Sequence, residues 1–127
     1  MKYLCLGYLD PKKMDACPKA EIDAVMRECQ FHMEELYKSG KVIIDAGLAL
    51  DTKCLRRVNG KLRIADGPLV ESRVMIGSAF LIEAQDMEEA IRVASLHPTT
   101  RVVAGEQLHW GIEIRPIHYL ERREPEA

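Results

Sequence analysis

Residues 75–98, MIGSAFLIEAQDMEEAIRVASLHP, hold a strand followed at once by a helix, and the topology of the whole chain can be built around them. The first ten residues are apolar on both alternating faces, which is typical of a central strand. Asp86, with Glu89 three residues later, resembles a capping box. The apolar stripe that follows predicts a helix ending near His97, because Pro98 disfavours helical geometry at the preceding residue.

A second strand and helix precede this unit. Residues 2–9, KYLCLGYL, alternate like a strand, and DPKKMDACP, residues 10–18, is predicted to be a polar loop. Pro18 and Gly40 bracket a predicted helix over residues 18–39. Its core-facing side at helical spacing comprises Ile22, Val25, Met26, Cys29, Met33 and Leu36. Phe31 lies on the opposite side, as a partner contact or as an isolated exposed aromatic.

Further strands complete the predicted architecture. KVIIDAGLAL, residues 41–50, and WGIEIRPI, residues 110–117, are both typical of strands, and Asn59-Gly60 between two β-prone runs predicts a hairpin. The resulting order is two β-α-β halves with an inserted hairpin. We therefore expect an α+β, ferredoxin-like β-α-β sandwich over residues 1–120, followed by a solvated tail over residues 121–127.

Composition limits the function classes that need to be considered. The chain has 127 residues and a formal charge of −2, which fits a single domain and argues against direct nucleic-acid binding. We expect no membrane segment and no signal peptide, and hence a cytoplasmic location. The four cysteines and four histidines lack metal-ligand spacing, and the nucleotide-binding glycine motifs are absent. We therefore predict no metal and no cofactor.

One face of the predicted sheet lacks a cover, because two helices can cover only one side of four strands. A second copy packed face to face would cover it and form a homodimer. We expect Leu4, Leu6, Ile112 and Ile114 to face the helices. Tyr3, Cys5, Gly7, Glu113 and Arg115 would then face the shared interior or its rim, and Tyr3, Glu113 and Arg115 are predicted to bind a ligand there. Glu113 and Arg115 could instead form only ion pairs across the dimer.

The hairpin and its flanks carry a local surplus of positive charge. Lys53, Arg56, Arg57, Lys61, Arg63 and Arg73 outnumber Asp51, Asp66 and Glu71 by three. This patch could attract an anionic ligand or an acidic partner surface, or it could simply block edge-to-edge aggregation. In ADGPLVESR, residues 65–73, Asp66 to Pro68 suit a turn, and Glu71 and Arg73 form the pair that could face a ligand.

Several motifs taken together resemble a known family. KYLCLGY at residues 2–8, DGPLVES at 66–72, FLIEAQDMEEAIRVAS at 80–95 and EIRPI at 113–117 resemble the YCII-related superfamily, specifically its DGPF-type branch. The chain keeps Asp66, Gly67, Pro68 and Glu71 of the branch pattern. It departs from that pattern with Leu69 for Phe, Arg73 for Lys and Val74 for Glu, and with Ile76-Gly77-Ser78 where Leu-Gly-Gly is common.

The resemblance implies a dimeric α/β barrel and, in some relatives, lyase or dehalogenase activity. DGPF genes are often associated with sigma factors. The superfamily also implies a His-Asp pair, with the His on the first helix and the Asp near the second strand. Counted back from Gly40, the family's His position falls nearer Cys29 than His32. His32 and Asp45 are nevertheless the candidate catalytic pair in this chain.

Two functions follow as hypotheses. The first is a dimeric protein that binds a small anionic or aromatic molecule, as a cofactor-free lyase or isomerase using proton transfer between His32 and Asp45. In this reading Tyr3, Asp66, Glu71, Arg73, Glu113 and Arg115 contact the ligand. The second is a non-enzymatic regulatory or protein-interaction module in which the hairpin and Phe31 meet a protein such as a sigma factor.

Overall fold

The computed structural model describes residues 1–126 and contains two antiparallel sheets. The hairpin is formed by β3 (Lys53–Val58) and β4 (Lys61–Asp66). The larger sheet has the order β2-β5-β1-β6 and is formed by β1 (Lys2–Leu9), β2 (Val42–Gly47), β5 (Met75–Glu83) and β6 (Gly111–Pro116). This order, with every pairing antiparallel, is that of a ferredoxin-like α+β fold and confirms the predicted class.

Four α-helices accompany the sheet in the described residues: α1 (Pro11–Ala16), α2 (Lys19–Lys38), α3 (Met87–Ala94) and α4 (Pro98–Arg101). A short 3-10 helix follows at Val103–Gly105. The predicted helices correspond to α2 and α3. Residues 121–126 are exposed and lie outside any helix or strand, and Ala127 lies outside the described residues.

The prediction of a polar loop at residues 10–18 was wrong, because α1 forms there. The Asp10 carboxylate accepts hydrogen bonds from the backbone amides of Lys12 at 3.0 Å and Lys13 at 3.3 Å, and Pro11 occupies the first turn. A similar cap starts α4, where His97 precedes Pro98. Local capping therefore makes short helices in segments that lack a long apolar stripe.

The core lies between the helices and one face of the large sheet. Its buried residues are Tyr3, Cys5, Leu36, Phe80, Ile82, Ala84, Ala90, Val93 and Ala94. Leu36 is the only buried side chain of α2 within the described chain, whereas Ile22, Val25, Cys29 and Met33 are half-buried. The apolar side of α2 is therefore only partly packed against the sheet.

The predicted facing of β1 was wrong. Tyr3 is 2% exposed and Cys5 is fully buried under the helices, whereas Leu4 is 36% exposed on the opposite face. Cross-strand register explains this, since Cys5 pairs with Ile114 and paired residues share a face. The facing predicted for Ile112 and Ile114 is confirmed, because both pack against the core. Both faces of β1 carry apolar side chains, so the sequence of this strand does not indicate which face is buried.

The hairpin forms as predicted. Asn59 and Gly60 have φ values of 51° and 77°, as a two-residue turn with left-handed backbone requires. At the base of the hairpin, Lys53 forms an ion pair with Asp66, and Gly67 follows with a φ of 93°. No helix in the described part of the chain is long and apolar enough to cross a membrane.

Candidate functional site

A cavity of about 210 Å³ lies between α2, the sheet and the start of α4. Met26, Cys29 and Met33 line it from α2, at the spacing of one helix face. The other walls include Met14 of α1, Gly7 and Ser78 of the sheet, His97, Thr99 and Trp110. The partly packed side of α2 therefore faces an apolar cavity with a few polar groups, as small-molecule sites do.

His97 is the titratable group of this cavity with the most constrained surroundings. Its side chain is 6% exposed, and its ring stacks on Phe80 with centroids 4.8 Å apart and planes 4° from parallel. The backbone amide of Thr99 donates to His97 Nδ1 at 3.2 Å. Because that amide can only donate, Nδ1 accepts and Nε2 carries the proton of the neutral ring.

Burial determines the charge of His97. It lowers the pKa of His97 from its ordinary 6.5 to about 4, and the negative charge of Asp45 opposes part of this change. The imidazole is therefore neutral at pH 7. A neutral imidazole with its proton on Nε2 is a hydrogen-bond donor at that atom and a weak base.

Asp45 lies near His97, on the strand that pairs with the strand of Phe80. It is paired in register with Phe80, the residue on which the His97 ring stacks. The Tyr37 hydroxyl donates a short hydrogen bond to Asp45 Oδ2. This bond, together with burial, raises the pKa of Tyr37. The Tyr37 hydroxyl therefore holds the Asp45 carboxylate in place near His97.

Two further polar groups belong to the cavity. The Ser78 hydroxyl occupies the position that a Cβ atom on Gly7 would take, so the missing side chain of Gly7 leaves room for it. Trp110 Nε1 is buried and has no hydrogen-bond partner within residues 1–126. A ligand oxygen could accept a hydrogen bond from the Ser78 hydroxyl, whereas Trp110 Nε1 is closed off in the described structure.

The structure does not bring the predicted catalytic pair together. His32 is half-buried and packs edge-on against Phe31, with ring centroids 5.2 Å apart and planes at 76°. Asp45 bonds to Tyr37, and within residues 1–126 it shares no hydrogen bond or ion pair with His32. Cys29, near which the family's histidine position was placed, lines the cavity instead. Burial and then Glu28 raise the pKa of Cys29, so it is a neutral thiol.

Glu71 and Arg73 do lie together, at a different place. Both line an open cleft of about 590 Å³ with Asp10 and Lys12. Arg73 Nη2 is 3.2 Å from Nδ1 of His109. The cleft is lined by charges of both signs, whereas the cavity under α2 is apolar.

The remaining predicted ligand residues are dispersed. Glu113 and Arg115 lie on the open face of the sheet, where the Tyr8 hydroxyl donates to Glu113 Oε2 at 3.3 Å. Tyr3 is in the core under the helices, and Asp66 is at the base of the hairpin. The described structure thus separates these residues among three locations.

Sequence reasoning missed His97, Ser78, Trp110 and Tyr37 as site residues. The sequence places His97 at the end of a helix and without metal-ligand spacing, and it places Ser78 in a strand where the family pattern has glycine. A histidine directly before a proline is a cap signal, and this one buries its ring. The His-Pro pair predicts that residue 97 starts a helix, but it does not predict that His97 lies near Asp45.

Comparison with known proteins assigns the chain to a family. A family model described as the YCII-related domain matches residues 1–109. The chain belongs to the YCII-related family. The match includes α2, β2 and His97, and it stops just before β6, which completes the sheet of this YCII-related chain. No curated protein sequence matches the chain.

A solved structure shares the fold of this YCII-related chain. It is 5-chloro-2-hydroxyhydroquinone dehydrochlorinase (TftG) from Burkholderia phenoliruptrix AC1100, in complex with 2,5-dihydroxybenzoquinone. The TM-score is 0.51 and the sequence identity is 15%, over 94% of this chain and 95% of that chain. At this identity, the likeness supports the fold.

Proposed function

We propose that this YCII-related chain binds a small molecule in the cavity under α2 and catalyses a cofactor-free proton transfer, as a lyase or an isomerase. The observation that carries the proposal is the buried, neutral His97 at the wall of an apolar cavity. A core histidine with no further role would have no need of adjacent empty space. Here the space is shaped by a glycine, a helix face and a tryptophan.

The ligand we propose is a single aromatic or quinone-type ring. Met26, Met33 and Trp110 offer sulfur and aromatic contacts to such a ring. The quinone bound to TftG, a protein of the same fold, supports this class. A small anion would fit the Glu71 and Arg73 cleft better than the apolar cavity.

The chemistry we propose uses His97 as a hydrogen-bond donor. Its Nε2 proton would polarise a carbonyl or hydroxyl oxygen of the ligand, which makes a neighbouring ligand proton more acidic. Solvent water at the cavity mouth takes up that proton. Water returns the proton to another ligand atom in an isomerase, whereas in a lyase the electron pair left on the ligand expels a leaving group, and the proton and the leaving group both pass to solvent. The negative charge of Asp45, which is bonded to Tyr37, disfavours loss of the Nε2 proton, so His97 stays a hydrogen-bond donor through the step.

Two further parts of the proposal concern assembly and location. We propose a homodimer formed through the open face of the sheet, where Leu4 and Ile44 are exposed. The described cysteines are all free thiols, which fits the proposed cytoplasmic location because disulfides are rare there. The sequence-based pair of His32 and Asp45 remains a proposal and is tested beside His97.

The test is ligand-induced thermal stabilisation with matched histidine variants. We expect 2,5-dihydroxybenzoquinone, hydroquinones or halogenated phenols to raise the melting temperature of the wild-type protein. His97→Gln should remove this shift, and His32→Gln should keep it. Loss of the shift in His32→Gln with a retained shift in His97→Gln would favour His32. If no compound of the panel raises the melting temperature of the wild-type protein, the proposed function is wrong.

A protein-interaction function is the second candidate. Phe31 is 58% exposed and the hairpin is exposed along its length, and both features favour a protein partner. The DGPF resemblance implies a sigma factor as one such partner. Binding of a labelled sigma factor by the wild-type protein, lost in Phe31→Ala or in a hairpin variant, would support this candidate.

A further inference from the structure

The hairpin of β3 and β4, residues 53–66, projects from the domain as an arm. Its large apolar side chains share one face, because Leu55 pairs with Ile64 and Leu62 pairs with Arg57. Leu55, Leu62 and Ile64 are 59%, 62% and 66% exposed. Three exposed aliphatic side chains on one face form a contiguous apolar patch of the kind that marks an interaction site.

The two strands of the arm are not packed against the large sheet or the helices of the described chain. Its strands pair with each other and make no extensive contact with any other described strand or helix. An isolated two-stranded hairpin is at best marginally stable in water. The apolar face of the arm therefore needs to pack against another protein surface for the arm to be stable.

Charge is segregated between the arm and the rest of the chain. The arm contains five Lys and Arg residues and one Asp, which gives a charge of +4. The remainder contains 13 basic and 19 acidic residues, which gives −6. The arm is thus attracted to the body of another copy, and two bodies joined through both arms would neutralise much of their mutual repulsion.

We propose that the arm docks on a second copy of this chain, so that each protomer of the dimer is held by the hairpin of the other. This rests on the homodimer in the proposed function and adds a second contact to the sheet face. The arm leaves from the ends of β2 and β5, the strands that also carry Ile44 and Ile76 on the open face. The two segments that join the arm to the sheet also expose apolar side chains, at Leu48, Leu50, Leu69 and Val70.

Zero-length cross-linking of mixed-isotope protein tests the contact directly. A carbodiimide joins a lysine amine to a carboxylate in contact with it, and mixing ¹⁴N and ¹⁵N protein distinguishes links between copies from links within one copy. We expect links between copies from Lys53 or Lys61 of the arm to carboxylates of the other body. Arm links found only within one copy would overturn the proposal.

Matched variants measure the contribution of the arm to dimerisation. Leu55→Ser with Ile64→Ser should raise the dimer dissociation constant at least about tenfold in sedimentation experiments, since buried aliphatic anchors dominate such contacts. Val58→Ser, on the other face of the arm, should leave it unchanged. All of these positions are exposed, so the ligand-induced thermal shift serves as a check on folding.

The outcomes separate the arm from the rest of the proposed function. A wild-type dimer that tolerates the double substitution and shows no arm links between copies overturns the arm contact alone. If the wild-type protein is monomeric, both the arm contact and the proposed dimer are wrong, and the arm would bind a different protein. Ligand binding is measured independently of either result.

Discussion

At the scale of single residues, His97 combines a structural and a chemical role. Its Nδ1 caps α4, its ring covers Phe80, and its Nε2 makes no hydrogen bond within residues 1–126. Each contact favours the neutral form, because a charged imidazole would lose its acceptor at Nδ1 and would be desolvated. Protonation of His97 in acid should therefore both destabilise the fold and change the candidate site.

The pKa of His97 predicts a loss of stability in acid. Its pKa is about 4 in the folded chain and 6.5 ordinarily, so between these values the unfolded chain binds the extra proton. Lowering the pH from 7 to 4 should remove about 3 kcal/mol of unfolding free energy through this residue. Urea unfolding at several pH values measures the slope, which His97→Gln should flatten. An equal slope in both proteins would contradict the assignment.

Gly7 offers a second test at this scale. Gly7→Ala places a methyl group where the Ser78 hydroxyl lies, and should cost about 1–3 kcal/mol of unfolding free energy. Gly111→Ala is the control, because no atom lies within 4 Å of its added Cβ. Ser78→Ala in the Gly7→Ala background should recover part of the loss. Thermal denaturation gives all three values, and no difference between the two glycine variants would contradict the close packing.

At the scale of elements, α2 has an apolar side that the sheet only partly fills. The spacing of Met26, Cys29 and Met33 predicted a core face, but the three residues line a cavity, and Met26 is 44% exposed. Periodicity reports which side of a helix is apolar and gives no distance to the opposite layer. The cavity lies where α2 packs against α4 and where Gly7 has no side chain to fill the space above the sheet.

Filling the cavity from α2 should block ligand binding. Cys29→Leu adds aliphatic volume inside the cavity, so a quinone-type ligand should no longer raise the melting temperature. Gln30→Leu makes the same residue on the exposed side of the helix and should keep the shift. Calorimetric titration of both variants measures the affinities. Full binding by Cys29→Leu would place the ligand elsewhere.

At the scale of the whole molecule, the helices cover one face of the sheet and leave the other open. The open face carries Leu4, Leu6, Ile44 and Ala79, with Glu113 and Arg115 at one edge. This arrangement suits an apolar interface with a polar rim. The ferredoxin-like fold and the open face thus motivate the proposed dimer.

A charge on the open face should dissociate that dimer. Ile44→Lys would bury an unpaired ammonium at the interface and should raise the dimer dissociation constant at least about hundredfold. Val103→Lys, at a residue that is 81% exposed near α4, is the control and should change little. Analytical ultracentrifugation measures both. Unchanged association of Ile44→Lys would move the interface to another surface.

The sequence alone predicts the order of strands and long helices along the chain, the hairpin turn and the family resemblance, because periodicity, caps and left-handed turn residues act locally. Tertiary structure selects which side of β1 is buried, since Tyr3 and Leu4 are both apolar and the register with β6 makes the choice. It also placed His97, Asp45 and Tyr37 together and left His32 beside Phe31. Cross-strand pairing and helix placement join residues far apart in the chain, and no local pattern contains that information.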